Sequence, residues 1–434
     1  MEYVKQTQYV EEEKQYFCSG ISEEAVISGR VFHKGKGVLL IDIDGNEYFD
    51  FTSGIFTQSL GHCHPYVVKK MKEQVDSLWN VHDYATPERL DLCKLLKQLC
   101  PPEIDTFCFF TTGSETIEAA IRAVYGVSPP QKQRLGALRY GFHGKTMGSR
   151  MLVHWDIGYT SFSGNTILGY SAYCFRCPFD LTYPTCDLLC AKLVVKHICS
   201  KDNVAAFFFE PILGAGGVIV PPSGYWEMIQ EACKKHGVLM VADEIITGGG
   251  RIGTFLASSY FGIKPDIVAM AKGIGSGFPF AVLAGKKVII NSDDFGKPGA
   301  SSATFSSNPL GINAAKATLE TIIKDKWIDN VNHLGKYFHE KLLLLKEKFN
   351  IIGDVRGLGF FYAIEFVRDR KTREPAYEIT RAIFKESFEM GLKTAFGGNI
   401  IRLAPPFIVD KGVISEGVAI LEKAIVKVLT ASKS

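Results

Sequence analysis

The sequence predicts an α/β protein: a large domain on a mostly parallel central sheet, with a smaller α+β domain assembled from both ends of the chain. Three observations lead there. From Thr106 to Ala284, short apolar runs flanked by glycines alternate with helical patterns, as expected of strands buried on both faces. Two of these runs stop at a charged residue: Val238-Leu239-Met240-Val241-Ala242 at Asp243, and Asp266 to Ala271 at Lys272. After Pro309 the alternation gives way to a long helical stretch and then to Gly353-Asp354-Val355-Arg356-Gly357-Leu358-Gly359. The implied division is an N-terminal segment, 1–56, contributing to the small domain, a large domain over 57–310, and a C-terminal small domain over 311–434.

In chain order, the first ~30 residues are polar and mildly helical. Val38 to Phe51 reads as a hairpin with Asp44-Gly45-Asn46 as its turn. Pro65 to Val75 is helical. A strand from Thr106 to Thr112 runs into Gly113 and a helix from Ser114 to Tyr125. Further strands are expected over Leu135 to Tyr140, Val204 to Glu210, Val238 to Asp243, Asp266 to Ala271 and Phe280 to Ala284. The helix Tyr225 to His236 takes Ser223 as its N-cap and Gly237 as its stop. Gly311 to Lys324 is helical, and Phe360 to Phe366 is a strand.

Composition narrows the function classes. The chain has 434 residues, 46% hydrophobic and 22% charged, an ordinary soluble composition. A net charge of +3 is too small to argue for nucleic acid or a membrane surface. No secretory signal and no membrane-length apolar run is visible. Eleven cysteines without a signal peptide fit free thiols in a reducing cytoplasm.

The chemistry begins with Asp243 and Lys272, 29 residues apart. Ligands of parallel sheets sit at the carboxyl ends of the strands, where both residues fall. A lysine and an acid there match the needs of pyridoxal phosphate: the lysine forms a Schiff base with the aldehyde, and the acid keeps the pyridine nitrogen protonated. Alone, the pair is equally a structural ion pair. Thr111-Thr112-Gly113-Ser114-Glu115, at a strand-to-helix junction, offers helix N-terminal amides to a phosphate. It is also an ordinary helix start capped by Thr112 or Ser114. In Gly141-Phe142-His143-Gly144, Phe142 is either a ring that stacks on a flat cofactor or a core aromatic in a glycine turn.

Taken in order, these segments resemble the class III aminotransferases, the fold-type-I pyridoxal-phosphate enzymes that include 4-aminobutyrate, ornithine and other ω-amino transaminases. The resemblance runs from about Val38 to Phe407. It rests on Gly61-His62-Cys63-His64-Pro65, Thr112-Gly113-Ser114-Glu115, Phe142-His143-Gly144, Glu210-Pro211, Asp243-Glu244-Ile245, Thr247-Gly248-Gly249-Gly250-Arg251-Ile252-Gly253, Lys272-Gly273, Thr304-Phe305, Arg356-Gly357 and Arg402-Leu403-Ala404-Pro405-Pro406. The resemblance implies that Lys272 carries the cofactor and that Asp243 holds its ring nitrogen. Phe142 and Ile245 would cover the two ring faces, with His143 beside them, and Gly113 and Ser114 would bind the phosphate. Thr304 would reach the phosphate of a neighbouring subunit, making the active unit a homodimer. Arg402 would fork onto the carboxylate of an oxo acid such as 2-oxoglutarate, and Glu210 would neutralise Arg402 when the amine substrate lacks that carboxylate. The implied reaction is ping-pong transfer of an amino group between a primary amine and an oxo acid. Arg356 also reads as a tie between loops.

Three positions depart from the commonest pattern. Ile246 replaces a glutamine that contacts the phenolic oxygen. Lys145 stands where 4-aminobutyrate enzymes tend to have an arginine for a distal carboxylate, and a lysine makes no planar fork. Lys145 therefore leaves room for a diamine or amino-sugar donor beside ω-amino acids. Ser306-Ser307-Asn308 replaces frequent glycines, a change with no physical account here. An amino-acid racemase or epimerase on the same scaffold is the competing enzyme class. A non-catalytic cofactor-binding regulator would lack part of the lysine, aspartate and phosphate set, which this chain keeps. Separately, Cys174, Cys177, Cys186 and Cys190 form C-x2-C-x8-C-x3-C. These are free thiols in a surface loop or a tetrahedral zinc set; the expected reaction needs no metal.

Overall fold

A computed structural model describes residues 6–153 and 165–431. The chain forms two compact units: one holds the chain up to Pro65 together with that from Asp329 onward, the other Tyr66–Ile328.

The Tyr66–Ile328 unit is built on a seven-stranded sheet. Its order is Thr106–Phe110, Ala281–Gly285, Ile267–Met270, Leu239–Asp243, Val204–Phe209, Arg134–Leu138, Thr166–Gly169. Only Ala281–Gly285 runs against its neighbours; the other pairings are parallel. Val204–Phe209 and Ala281–Gly285 are buried at every residue, which is why they read as unbroken apolar runs rather than alternating ones. The helix Gly113–Val127 buries Ile117, Ala119, Ala120, Ile121, Ala123 and Val124. Its alanines let it lie close over strands Ile267–Met270 and Ala281–Gly285. The edge strand Thr166–Gly169 escapes sequence reading, because four residues of mixed burial give no periodic signal.

Two expectations change. Gly224, at φ 85°, caps the helix Tyr225–His236, and no side chain caps that end. Ser223 lies one residue outside and offers its carbonyl to the Tyr183 hydroxyl at 3.3 Å. Gly237 does end the helix, in the left-handed region at φ 60°. The boundary expected at 311 falls inside helix Pro309–Lys324, which belongs to the Tyr66–Ile328 unit. There the helix packs on Pro87–Leu99 and is tied to it by Lys316 and Asp91 at 3.0 Å. The change in sequence character after Pro309 marks the start of a buried helix and not the edge of a unit.

The other unit contains the expected hairpin, Leu39–Asp42 against Glu47–Asp50, with Leu40 opposite Tyr48. This hairpin pairs with Phe32–Lys36 on one side and Leu392–Lys393 on the other. A second sheet orders Ile352–Leu358, Phe361–Phe366, Ile400–Leu403 and Ala395–Gly397. Arg356 ties two of these strands, donating from Nη1 to Asp354 at 3.0 Å and Glu365 at 2.7 Å. The tie is between strands rather than between loops.

The buried centre of this unit is Asp50. His62 Nε2 donates to it at 2.8 Å, Lys393 Nζ at 3.1 Å, and the amides of Thr52 and Gly54 at 3.0 and 2.7 Å. Burial alone would push the Asp50 carboxyl up. Lys393, His62 and Thr52 outweigh it and hold the group well below the usual carboxylate range. A folded value below the unfolded one means that this stabilisation is fully present above the ordinary Asp pKa of about 4 and fades as pH falls through the folded value. Asp50→Ala leaves His62 and Lys393 without their shared partner and should cost about 3–5 kcal/mol. Denaturant titration with a probe in this unit should show that loss at pH 7 and a smaller difference below pH 4. Equal losses at both pH values would show that packing, and not charge pairing, is the source.

Candidate active site

Asp243 ends its strand opposite Ala269 of the parallel neighbour Ile267–Met270. Lys272 follows that neighbour's end at φ 48°, a backbone conformation that a non-glycine residue holds only when its surroundings impose it. The two strand ends therefore bring the acid and the lysine to one edge of the sheet.

Asp243 is 4% exposed. Its Oδ1 accepts the Ile245 amide at 3.0 Å, and its Oδ2 meets His143 Nδ1 at 2.8 Å. A carboxylate only accepts, so Nδ1 carries the proton. Burial pushes the His143 imidazolium down. The bond and charge of Asp243, then the charge of Glu210, outweigh it and raise the ring above its ordinary value. His143 Nε2 is buried with no hydrogen-bond partner among the described residues.

The start of helix Gly113–Val127 is assembled by close approaches. Thr112, not Ser114, caps helix Gly113–Val127, accepting from the Glu115 amide at 3.2 Å. Glu115 reaches back to the Thr111 amide at 3.0 Å, a capping box in all but register. A Cβ added at Gly113 would stand 2.8 Å from Ile245 Cδ1, and one at Gly144 would stand 2.5 Å from Ser114 Oγ. Both glycines are needed because these segments touch. Ser114 Oγ also takes the Lys145 amide at 3.2 Å, and Lys145 is exposed.

Glu210, at the end of Val204–Phe209, holds the aromatic loop. Its Oε1 accepts the Phe142 amide at 2.9 Å and its Oε2 the Gly214 amide at 2.8 Å. It is 4% exposed. Burial first, then the charge of Asp243, pushes its carboxyl up to about 7, against the pull of His143 and the two amides.

Gly113, Ser114, Phe142, His143, Lys145, Glu210, Asp243, Ile245 and Lys272 are thus linked through one edge of one unit. Thr304 is exposed, and its carbonyl accepts from Asn80 Nδ2 at 3.0 Å. Arg402 belongs to the other unit, on strand Ile400–Leu403, with its guanidinium 5.8 Å from the Phe56 ring. Glu118 is a supporting residue that sequence reading missed. It accepts the Gly148 amide at 2.7 Å and so fixes the chain after Lys145. Its signal was available: it lies four residues after Ser114, on the same helix face.

The sequence profile of class-III aminotransferases matches residues 21–425. The chain belongs to that family. It is 33% identical to an acetylornithine aminotransferase of Vibrio vulnificus, over 90% of this chain and 92% of that one. It is 32% identical to a leucine/methionine racemase of Thermococcus litoralis, over 91% and 90%. Its fold superposes on an amine transaminase from an uncultivated Pseudomonas species in the PLP-bound form with a TM-score of 0.88, at 29% identity and covering 95% of this chain and 99% of that one. The fold is the type I transaminase fold, and the chain is a pyridoxal-phosphate-dependent aminotransferase. The residues fit that cofactor. Asp243 keeps a second lone pair on each oxygen for a ring N–H. A Cβ at Gly113 or Gly144 would collide with Ile245 or Ser114, so the helix start tolerates no side chain at either position.

Glu210 gives the site a pH signature. Its folded value lies above the unfolded one near 4.3, so its neutral form favours folding and that contribution is lost as pH rises through about 7. Denaturant stability should fall between roughly pH 4.5 and 7 in the native protein and fall less in Glu210→Gln. Parallel profiles would mean that Glu210 ionises freely in the folded state.

Proposed function

We propose that this enzyme moves an amino group between a primary amine and an oxo acid such as 2-oxoglutarate in two half-reactions, with Lys272 and Asp243 at its centre. The observation that carries this reading is the meeting of Asp243, His143 and the Lys272 strand end at one sheet edge. When bound, pyridoxal phosphate supplies the electron sink that stabilises negative charge on the substrate's amine-bearing carbon. Asp243, fixed by Ile245 and His143, would hold the ring nitrogen and keep it protonated. Lys272 would carry the cofactor through its aldehyde, and its free amine would take the proton from the substrate's amine-bearing carbon. Phe142 and Ile245 would cover the ring, and the amides around Gly113 with Ser114 would hold the phosphate. Arg402 binds the carboxylate of the oxo acid.

Glu210 takes a different role from the one its motif implied. A carboxylate that accepts two backbone amides must release one or both to mask Arg402. We assign it to holding Phe142 in place. Without a mask, Arg402 favours substrates that carry a carboxylate in both halves. That favours an α-amino acid as donor over a diamine or amino sugar, and it also favours the second reading, racemisation of an amino acid. The likeness to the Thermococcus litoralis racemase supports the same alternative.

The active unit is proposed to be a homodimer in which Thr304 serves the partner's phosphate. Phe305 is 64% exposed and Trp79 61%, and Asn80 ties their two segments together at Thr304; large apolar groups so exposed mark an interface. None of the eleven cysteines is in a disulfide, which supports a reducing cytoplasm. Among the described residues no helix is long and apolar enough to cross a membrane.

Lys272→Ala should retain the cofactor without a covalent link and lose essentially all turnover. Borohydride treatment of the native enzyme, then peptide mapping, should place the cofactor on Lys272; labelling at another lysine refutes the assignment. The reaction itself is read by mixing the holoenzyme with single amino donors and following the cofactor spectrum. Conversion to the pyridoxamine form, reversed by 2-oxoglutarate, supports transfer. Inversion of an amino acid at its α-carbon without an oxo acid, and with no pyridoxamine form accumulating, establishes racemisation instead. Arg402→Ala should raise the Michaelis constant of the oxo acid by about 30- to 1,000-fold, the loss of a charge-assisted fork. An unchanged value would remove Arg402 from the substrate site.

A further inference from the structure

Between strand Thr166–Gly169 and helix Leu189–Val194 the only regular structure is the short 3-10 turn Cys174–Arg176. So long a connection in a compact unit calls for something that holds it. Its own bonds are local turns, such as the Asp180 amide to the Cys177 carbonyl at 3.1 Å and the Cys186 amide to the Thr182 carbonyl at 2.9 Å. Yet the loop is packed. The Tyr170 and Phe179 rings meet at 4.9 Å, and Tyr183 reaches the Ser223 carbonyl.

Cys174, Cys177, Cys186 and Cys190 all line one cavity of about 20 Å³ within this loop. That is room for a single small guest, since one water needs about 10–15 Å³. No carboxylate, imidazole, amine or guanidinium lines it. Ser171 Oγ, in the same wall, is buried with no hydrogen-bond partner among the described residues. The remaining walls are apolar side chains such as Phe179 and Leu181.

We propose that Cys174, Cys177, Cys186 and Cys190 close around one zinc ion. Among the described residues no three His, Cys, Asp or Glu are already set at metal-binding positions. Closing on an ion would require the cysteines to turn about χ1, their one side-chain torsion with heavy atoms. Four S–H bonds break, four Zn–S bonds form, and four protons pass to solvent; no electron moves. Four protein ligands leave no open position, so the ion is structural. Its place explains what it supports. The Tyr173 ring, next to Cys174, meets the Tyr140 ring edge-on at 5.9 Å, and Tyr140 immediately precedes Gly141-Phe142-His143. Arg139 lies over the Tyr170 ring at 4.5 Å. The zinc loop thus buttresses the strand end that carries Phe142.

The test is metal analysis of the full-length holoenzyme purified with reductant and without chelator. The expected content is about one zinc per chain, the stoichiometry of a four-thiolate site. Cobalt exchanged for zinc should give tetrahedral thiolate bands in the red, clear of the cofactor's absorption. Removing the metal with an organomercurial should lower the melting midpoint by about 5 °C or more, more than the ~2–4 °C that a 1 kcal/mol loss produces in a domain of this size. The Cys186→Ser/Cys190→Ser variant should lose the metal and keep pyridoxal phosphate, while Cys18→Ser, outside the loop, keeps both. If the double variant does not fold, the cobalt spectrum of the native protein decides. A protein without zinc that takes up neither zinc nor cobalt overturns the proposal. So does equal metal in the double variant, the mark of an adventitious ion.

Discussion

The site depends on one buried carboxylate kept in an apolar sheet edge. Asp243 sits at the end of a strand buried at four of its five positions. An unpaired charge there would cost several kcal/mol. It is kept by two donors from different segments, the Ile245 amide and His143 Nδ1. Because His143 must come to Asp243, the loop Gly141–Gly144 is drawn over the strand end, and Phe142 comes with it. Because Ile245 must turn back on Asp243, its side chain lies against Gly113, and the helix start is brought to the same edge. The convergence of Asp243, His143, Phe142, Ile245 and the start of helix Gly113–Val127 is thus a consequence of satisfying one acid.

Legibility of the sequence followed the strength of the physical signal. Strands buried on both faces gave unbroken apolar runs, and Val204–Phe209 and Leu239–Asp243 were found within a residue. The helix Pro65–Val75 was found at its exact bounds because Pro65 and a marked amphipathic pattern frame it. Ser223 was misplaced as a cap because composition cannot tell a capping serine from a glycine whose backbone makes the turn. The boundary near 311 failed for a related reason. A buried helix rich in alanine changes the character of the sequence as much as a domain border does. At the site, Asp243 and Lys272 were legible because each ends an apolar run. The bonds that organise them were not. Glu210 to the Phe142 amide and Glu118 to the Gly148 amide are side chain-to-backbone contacts across 68 and 30 residues, and no local pattern records them.

Glu210 shows how such a contact changes a chemical reading. From its motif it is a free carboxylate that pairs with Arg402 in one half-reaction and withdraws in the other. In the fold it is closer to a rivet: one oxygen fixes the amide of Phe142, the other that of Gly214. Where Glu210 is ionised, each of these bonds is worth about 1.5–3 kcal/mol, more than one new surface-type pairing of about 0–1 kcal/mol would return. Glu210 is therefore kept with Phe142, the role proposed for it. If Arg402 binds substrate as proposed, selection falls to it and to whatever carboxylate the substrate brings. Lys145, a point charge on a flexible stem, adds no competing fork.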